Sequence, residues 1–433
     1  MNGKKEYASF SLRAICRIMN VFCILIFGVL LSHSSNAQPA GCTDPLANNY
    51  NASASSNDGS CLYSSTSIAP SFSFPLDSSM METSGLICLN GRLLTHNDND
   101  DIHLYYLDTL DGHLLGSDSL KSCINKEWEE LSQDSIYFYI GDFGNNSSGN
   151  RTDLHILRVL KSSIMLVSPI IDTIYFSYAD QIDFSAHAAN TTDYDCESFV
   201  VSSDSIYLFT KQWQRKQTVV YVLPKTPGNY IAQPRDTFNV NGLITGATYL
   251  EQQRLLVLCG YSNLLLPFTY LCYDFQQQDF FGANKRRLDI NALAIHQIEG
   301  IATSNGLKYY MTNERFVQGS LINSPQAFHI FDFSTYLNGY INAPLHTFDL
   351  VEDVFDIRLY PNPTGEFCFV KGRTLSLDKV AYRLMNALGE ELLTGTFTVK
   401  EEAIDMRDLA NGIYILEVER PYNKRYRIIK QSK

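Results

Sequence analysis

Short apolar runs separated by polar turns fill the chain from Phe72 to Phe333, and helical periodicity is scarce. The stretch "HQIEGIATSNGLKYYMTNE", His296 to Glu314, shows the pattern. Two apolar runs flank the turn "TSNG", which predicts a β-hairpin. The hairpin opens on the carboxylate Glu299 and closes on Asn313 and Glu314. Four other segments share this layout. They are "METSGLICLNGRLLTHNDND" (Met81 to Asp100), "EWEELSQDSIYFYIGDFGNN" (Glu127 to Asn146), "DCESFVVSSDSIYLFTKQ" (Asp195 to Gln212) and "LITGATYLEQQRLLVLCGYS" (Leu243 to Ser262). Their anchor residues are Ser84, Glu129, Glu197, Thr245 and Glu299.

Each hairpin continues into another extended run: "IHLYYLDT", "DLHILRVL", "TVVYVLPK", "FTYLCYDF" and "AFHIFDFS". A further strand-like segment usually precedes the next anchor. Four short strands recurring at a period of about 50 residues are the signature of propeller blades. The isolated run "SFSFPLD" before the first anchor has no blade of its own, and the last repeat lacks a fourth strand. Pairing the two closes the ring and removes exposed sheet edges. The fold is therefore expected to be all-β, with a five-bladed propeller over residues 68–353. A sixth blade fits only if the longer span from Lys161 to Thr192 holds one. A large β-sandwich array is the competing architecture.

In a propeller blade the start of the inner strand and the end of the second strand lie at the same end of the sheet. Polar residues occupy both places here. Strand starts carry Glu82, Glu129, Glu197, Thr245 and Glu299, and second-strand ends carry Asn97, Asp98, Asp142, Lys211, Tyr261, Asn313 and Glu314. The expected result is an acidic channel mouth. Carboxylates brought together repel and call for protons, a cationic partner or a bound cation. The candidate metal ligands are Glu82, Asn97, Asp98, Asp142 and Asn313. Oxygen donors favour calcium or magnesium. Candidate ligand-binding residues are Lys211, Arg151, Tyr261 and Glu314, and candidate catalytic carboxylates are Glu129, Glu197 and Glu299. Each also fits a structural role in holding neighbouring backbones or turns. No G-x-S-x-G elbow, H-E-x-x-H or P-loop is present, and no organic cofactor is indicated.

The ends of the chain carry different signals. Basic residues from Lys4 to Arg17 precede "MNVFCILIFGVLL" and then "SHSSNAQ", the layout of a secretory signal over residues 1–37. No membrane-spanning segment is expected once it is removed. The net charge of −12 is concentrated in residues 68–353, where acidic residues outnumber basic ones nearly two to one, and this excludes nucleic acid as a partner. Of ten cysteines, Cys42 and Cys61 flank a small loop in residues 38–67 and are a candidate disulfide in an oxidising compartment. Cys88, Cys123, Cys196, Cys259, Cys272 and Cys368 lack metal-ligand spacing and read as small apolar residues on strands.

Three resemblances add to this reading. "CTDP…A.NYN…A…DGSC.Y" resembles a short module of exported Bacteroidetes-type proteins, in which Asp44, Asn57 and Asp58 offer oxygens to calcium or serve the turns. Residues 354–433, a small β-sandwich by pattern, resemble the C-terminal sorting domain of the type IX secretion system. That likeness rests on "YPNPT" (Tyr360 to Thr364), "NGIYILEV" (Asn411 to Val418) and the basic tail from Arg420 to Lys433, with "MNALGEELL" as a small departure. It implies the type IX machinery as a partner and export to the cell surface or beyond. Finally, "ETSGL", "HNDND", "WEELS", "IGDFGNN", "DCESF", "ITGAT" and "IEGIA" together resemble exported propellers of the gluconolactonase-like and phytase-esterase-like superfamily. The likeness implies metal-facing positions for Glu82, Glu197, Glu299, Asn97 and Asp142, although the gluconolactonase metal set is not matched residue for residue. Three functions follow as expectations: a surface propeller binding a small molecule, glycan or peptide at its mouth, a metal-dependent lactone or ester hydrolase, or a non-catalytic structural protein. In the hydrolase, the metal polarises a carbonyl or activates water, with Glu129, Glu197 or Glu299 as general base.

Overall fold

The computed structural model describes residues 39–342, except 165, 167 and 321, and residues 356–431, except 374–379, 387–388, 398–401 and 419–423. The predicted signal segment 1–37 and the residues around the boundary at 353–354 lie outside the described residues. The chain divides into two compact units after Asn342.

The first unit is a ring of five four-stranded antiparallel sheets. The inner strands are Thr83–Leu89, Trp128–Gln133, Cys196–Val201, Leu243–Leu250 and Ile298–Thr303. Each packs beside the next, and the last returns to the first. Blade five takes its outer strand from Phe72–Pro75, which pairs with Ala327–Asp332 in the register Ala327↔Pro75. The ring therefore closes as the sequence predicts. The span from Lys161 to Thr192 supplies the outer strand of blade two (Ile171–Tyr178) and a long connection, and the blade number is five.

Local chemistry explains the hairpins. In blade one the two-residue turn Asn90–Gly91 has φ of 50° and 79°, between the paired residues Leu89 and Arg92. Both residue types tolerate positive φ, and such turns match the twist of the flanking strands. In blade five the Asn305 carboxamide oxygen accepts from the backbone N–H of Leu307 (3.0 Å) and Lys308 (2.9 Å). The cores lie between blades. Tyr207 and Phe209 of blade three, for example, pack on Phe280 of blade four at centroid distances of 5.1 and 5.8 Å. Rings buried in this way each contribute about 1.5–3 kcal/mol. The outer strand of blade three, Gly228–Phe238, pairs with its own blade and also, through Gly228–Ala232, in parallel with the outer strand of blade two. This joins the two blades at their rims.

The segment holding Cys42 and Cys61 is disulfide-bonded, as expected, and packs on blade four. The Asp44 carboxylate accepts from the hydroxyls of Tyr63 (2.7 Å) and Tyr273 (2.5 Å). The Asn57 carboxamide donates to Asp274 (3.1 Å) and Asn284 (2.9 Å), while Asp58 accepts from the Ser60 N–H (3.0 Å). The Asp44 and Asp58 oxygens and the Asn57 amide thus serve docking and turns. Cys196, Cys259, Cys272 and Cys368 are buried thiols, and Cys88 and Cys123 are half-buried.

The second unit is a β-sandwich. One sheet comprises Asp356–Tyr360, Phe367–Arg373 and Glu402–Asp405, and the other Glu391–Phe397, Val380–Asn386, Gly412–Val418 and Lys424–Lys430. Cys368, Val370, Leu384, Ile404, Leu416 and Ile428 are among its core residues. The "YPNPT" segment is tied to the last strand through Asn362, which donates to Arg427 O (2.7 Å) and accepts from Ile429 N–H (2.8 Å). Among the described residues no helix is long and apolar enough to cross a membrane.

Candidate functional site

Every inner strand carries a register shift at its start, at the point where the anchor residues fall. The shifts lie between Ser84 and Leu86, Trp128 and Glu130, Cys196 and Ser198, Ile244 and Gly246, and Ile298 and Gly300. A bulge leaves one residue outside the ladder and re-aims its side chain. In blades two, three and five that residue is Glu129, Glu197 or Glu299, each buried. In blades one and four the equivalent hydroxyls stitch the ring. Ser84 donates to Glu129 O (2.5 Å), and Thr245 donates to Ile298 O. Thr245 is thus structural.

The ends of the second strands split into two sets, for a reason set by strand alternation. Asn97, Asp142 and Asn313 pair in register with Thr83, Trp128 and Ile298. Their side chains turn into the layer behind the mouth. Asn97 donates to Ser79 O (2.8 Å) and Asp101 (2.7 Å). Asn313 donates to Glu314 O (2.8 Å) and Pro325 O (2.9 Å), and its oxygen lies 2.8 Å from His329 Nε2. Asp142 bonds Arg151 (2.7 Å) and the Lys126 N–H (3.1 Å). The expected metal roles of Asp142 and Asn313 are therefore corrected to structural ones, whereas the Asn97 oxygen is buried without a hydrogen-bond partner. Arg151 is corrected likewise, because it also donates to Gly144 O (2.8 Å) and Asp153 (3.1 Å) and so clamps the "GDFGNN" loop.

The residues one step further on, Asp98, Lys211, Tyr261 and Glu314, converge at the mouth. Phe143 occupies this place in blade two and is instead buried against Phe176 and Phe199. Carboxylate oxygens of Glu82, Asp98 and Glu314 all lie within 4.8 Å of one another. The Lys211 ammonium pairs with Glu197 at 2.9 Å, with both side chains almost fully buried. That ammonium also lies 4.9 Å from the Trp213 ring centre and 5.3 Å from that of Tyr261. Gln297 donates to the Tyr261 hydroxyl (3.2 Å). Glu299 Oε2 is buried without a hydrogen-bond partner.

Burial and repulsion raise Asp98, Glu299, Glu314, Glu129 and Glu197. Asp98 is pushed up to about 7 by burial and then by Glu82 and Glu299. Glu299 also rises to about 7 through burial, although Lys211 and the Tyr261 hydroxyl oppose the shift. Burial raises Glu314, with Glu299 and Asp98 adding to it. Burial likewise raises Glu129, with Glu197 and Asp98 adding to it. Glu197 is raised by burial despite Lys211. For Lys211, burial works against the charge, but Glu197 and the other acids outweigh it and hold the ammonium protonated.

Three residues escape the sequence reading. Asp195 holds the rim, accepting from Trp213 Nε1 (2.7 Å) and Asn145 N–H (2.7 Å). Trp213 borders the mouth beside Lys211. Glu130, next to Glu129, fills the channel axis. Its carboxylate accepts from the N–H of Leu131 (2.9 Å), from that of Leu86 in blade one (3.3 Å) and from that of Ala247 in blade four (2.8 Å). The signal for Glu130 was in the repeat, since its counterparts are Gly85, Ser198, Gly246 and Gly300. A Cβ on Gly85 would meet Leu131 N at 2.5 Å, and one on Gly246 would meet Glu299 O at 2.7 Å. Small residues in the other four blades leave the axis to one carboxylate.

Residues 358–431 match the family described as the secretion system C-terminal sorting domain. A domain of this kind marks proteins for export to the cell surface or extracellular space and implies an interaction with the type IX secretion machinery. Among solved structures, the chain is similar to the "Crystal structure of RRP9 WD40 repeats", at 8% identity over 61% of this chain and 99% of that one, with a TM-score of 0.33. It is also similar to a chain of the "Crystal Structure of Mitotic Checkpoint Complex", at 10% identity over 57% of this chain and 63% of that one, with a TM-score of 0.28. The chain thus spans less than two thirds of the latter. No curated protein matches it.

Proposed function

We propose that this exported propeller binds a divalent cation, calcium or magnesium, at its mouth and through it a small molecule, glycan or peptide. The observation that carries the reading is the convergence of Glu82, Asp98 and Glu314 from blades one and five, with Glu299, which keeps an unpartnered buried oxygen, near enough to raise Asp98 and Glu314. An all-oxygen donor set suits a hard cation, and three carboxylates leave coordination positions for ligand oxygens. Lys211 pairs with Glu197 at 2.9 Å, and its attraction for Asp98 and Glu314 is smaller than the burial and repulsion that raise both acids. Extracellular calcium modules bind with Kd of about 10⁻⁴–10⁻³ M, the range expected here.

Calorimetric titration of the full chain with calcium and magnesium tests the reading. The chain is expected to bind one ion, and Glu82→Gln with Glu314→Gln is expected to weaken binding at least about 100-fold. Absence of binding at about 10 mM of either ion would refute it. One observation favours a second reading, a metal-dependent ester or lactone hydrolase. Glu299 lies near Asp98 and Glu314 with its carboxyl at about 7, the range of a general base working at neutral pH. Chelator-sensitive turnover of an ester and lactone panel, lost in Glu299→Gln, distinguishes it from binding alone.

A further inference from the structure

A cavity of about 170 Å³ lies beside the mouth, between blades two and three. The connection running from Tyr178 to Asp195 forms one wall, and the turn after Thr210 forms another. Tyr194 and Tyr221 line the cavity, with Tyr178 behind them at ring-centre distances of 5.6 and 4.7 Å. Tyr221 donates its hydroxyl to both oxygens of the Asp180 carboxylate, at 2.9 and 3.1 Å. Tyr194 donates to the Asp180 carbonyl (2.9 Å). Residue 180 is thus held by two phenols.

The other charged groups of the walls have neighbours of opposite type, although His187 carries a charge only when protonated. Arg215 faces Asp193 at 3.4 Å, and His187 faces Asp183 at 3.5 Å. Among the described residues, no cationic side chain lies within ion-pair distance of Asp180, and Asp183 has only His187. Gln212 also lines the cavity, is only 2% exposed, and its Oε1 is buried without a hydrogen-bond partner. A carboxylate without a counter-charge, an unused amide acceptor and two tyrosine rings converge on one space.

We propose that this cavity binds an alkylammonium group. An ammonium supplies the donors that Gln212 and Asp180 lack and is attracted to the faces of the tyrosine rings. Anionic ligands are disfavoured by Asp180, Asp183 and Asp193. A neutral ligand of the same shape gains the packing but not the charge. The group can come from a free amine or from a lysine side chain, and the proposal is independent of a cation in the mouth.

Calorimetric titration of the full chain with cadaverine, with a short lysine-containing peptide and with its norleucine counterpart tests this. Cadaverine, the lysine peptide or both are expected to bind, and which of them binds identifies the source. The norleucine peptide is expected to bind at least about tenfold more weakly. Asp180→Asn, on an exposed connection, is expected to weaken amine binding about tenfold or more, and Tyr221→Phe by a smaller factor, with circular dichroism unchanged. The proposal is overturned if neither amine binds at about 10 mM, if Asp180→Asn binds like the wild type, or if the norleucine peptide binds as well as the lysine peptide.

Discussion

Replacement of Glu130 probes how the ring is held at its axis. The side chain is fully buried and its two oxygens accept three backbone N–H groups from blades one, two and four. A buried N–H left without an acceptor costs about 1–3 kcal/mol. Glu130→Ala strands three of them and opens a void at the axis. Partial relaxation keeps the total below the simple sum, so about 3–5 kcal/mol is expected. Glu130→Gln preserves volume and can still accept from Leu86 and Leu131 through its oxygen. Its NH₂ then faces the Ala247 N–H, donor against donor, at a cost of about 1–3 kcal/mol. Urea unfolding followed by tryptophan fluorescence reads this without interference from the second unit. The chain has two tryptophans, Trp128 and Trp213, both in the propeller, and Trp128 is fully buried two residues from the mutated site. The expected order of midpoints is wild type, Glu130→Gln, Glu130→Ala. If Glu130→Ala unfolds within about 1 kcal/mol of wild type, the axial carboxylate does not hold the blades together and the reasoning fails.

Two further outcomes follow from the mouth. Lys211→Met leaves Glu197 buried without its 2.9 Å partner and is expected to destabilise the propeller by about 3–5 kcal/mol, while Lys211→Met combined with Glu197→Leu recovers most of the loss; equal stabilities for the single and double variants would contradict the pairing. Asp98 and Glu299 both titrate near 7 when folded, above their ordinary values, so between about pH 4 and 7 the metal-free folded chain holds more protons than the unfolded one. Their stabilising contribution is complete below about pH 4 and is lost as the pH rises through 7, and a carboxyl moved from 3.8 to about 7 corresponds to roughly 4 kcal/mol. Denaturant midpoints in chelator are thus expected to be lower at about pH 8 than at about pH 5, and unchanged or higher midpoints at pH 8 would show that these acids are not held protonated.

The blades were legible because the repeat is written in strand alternation and turn residues. Four anchors are the residues left out at the register shifts and Ser84 borders the fifth, where Gly85 is left out, and "SFSFPL" does close blade five. The mouth was legible as a place but not as a set of side chains. Asn97 and Asp98 are neighbours in sequence, yet one faces the packed layer and the other the mouth. Only the register Thr83↔Asn97 decides which. Asn313 and Glu314 divide in the same way. Arg151 looked available because "GNNSSGN" reads as an open loop, whereas Asp142 lies back across that loop and pairs with it. From sequence Asp44 and Asn57 could offer oxygens to calcium or, more readily, serve the turns; blade four, more than 200 residues away, takes the Asp44 carboxylate and the Asn57 amide NH₂.

The repeat also explains why the acids persist at the mouth at all. One position per blade ties neighbouring inner strands, and a hydroxyl suffices there, as Ser84 and Thr245 show. Glutamate at the same position in blades two, three and five adds a buried carboxyl group that this stitching does not require. Glu197 has Lys211 to answer it, but Glu299 keeps an oxygen without a partner, and the trio near it has carboxylates within 4.8 Å of one another. Such an arrangement costs stability unless a cation or protons compensate it. On the proposed reading the compensation is external. A site with Kd of about 10⁻⁴–10⁻³ M stays empty where calcium is scarce and fills only outside the cell. Binding then stabilises the propeller by mass action, and the chain becomes more stable after export than before it.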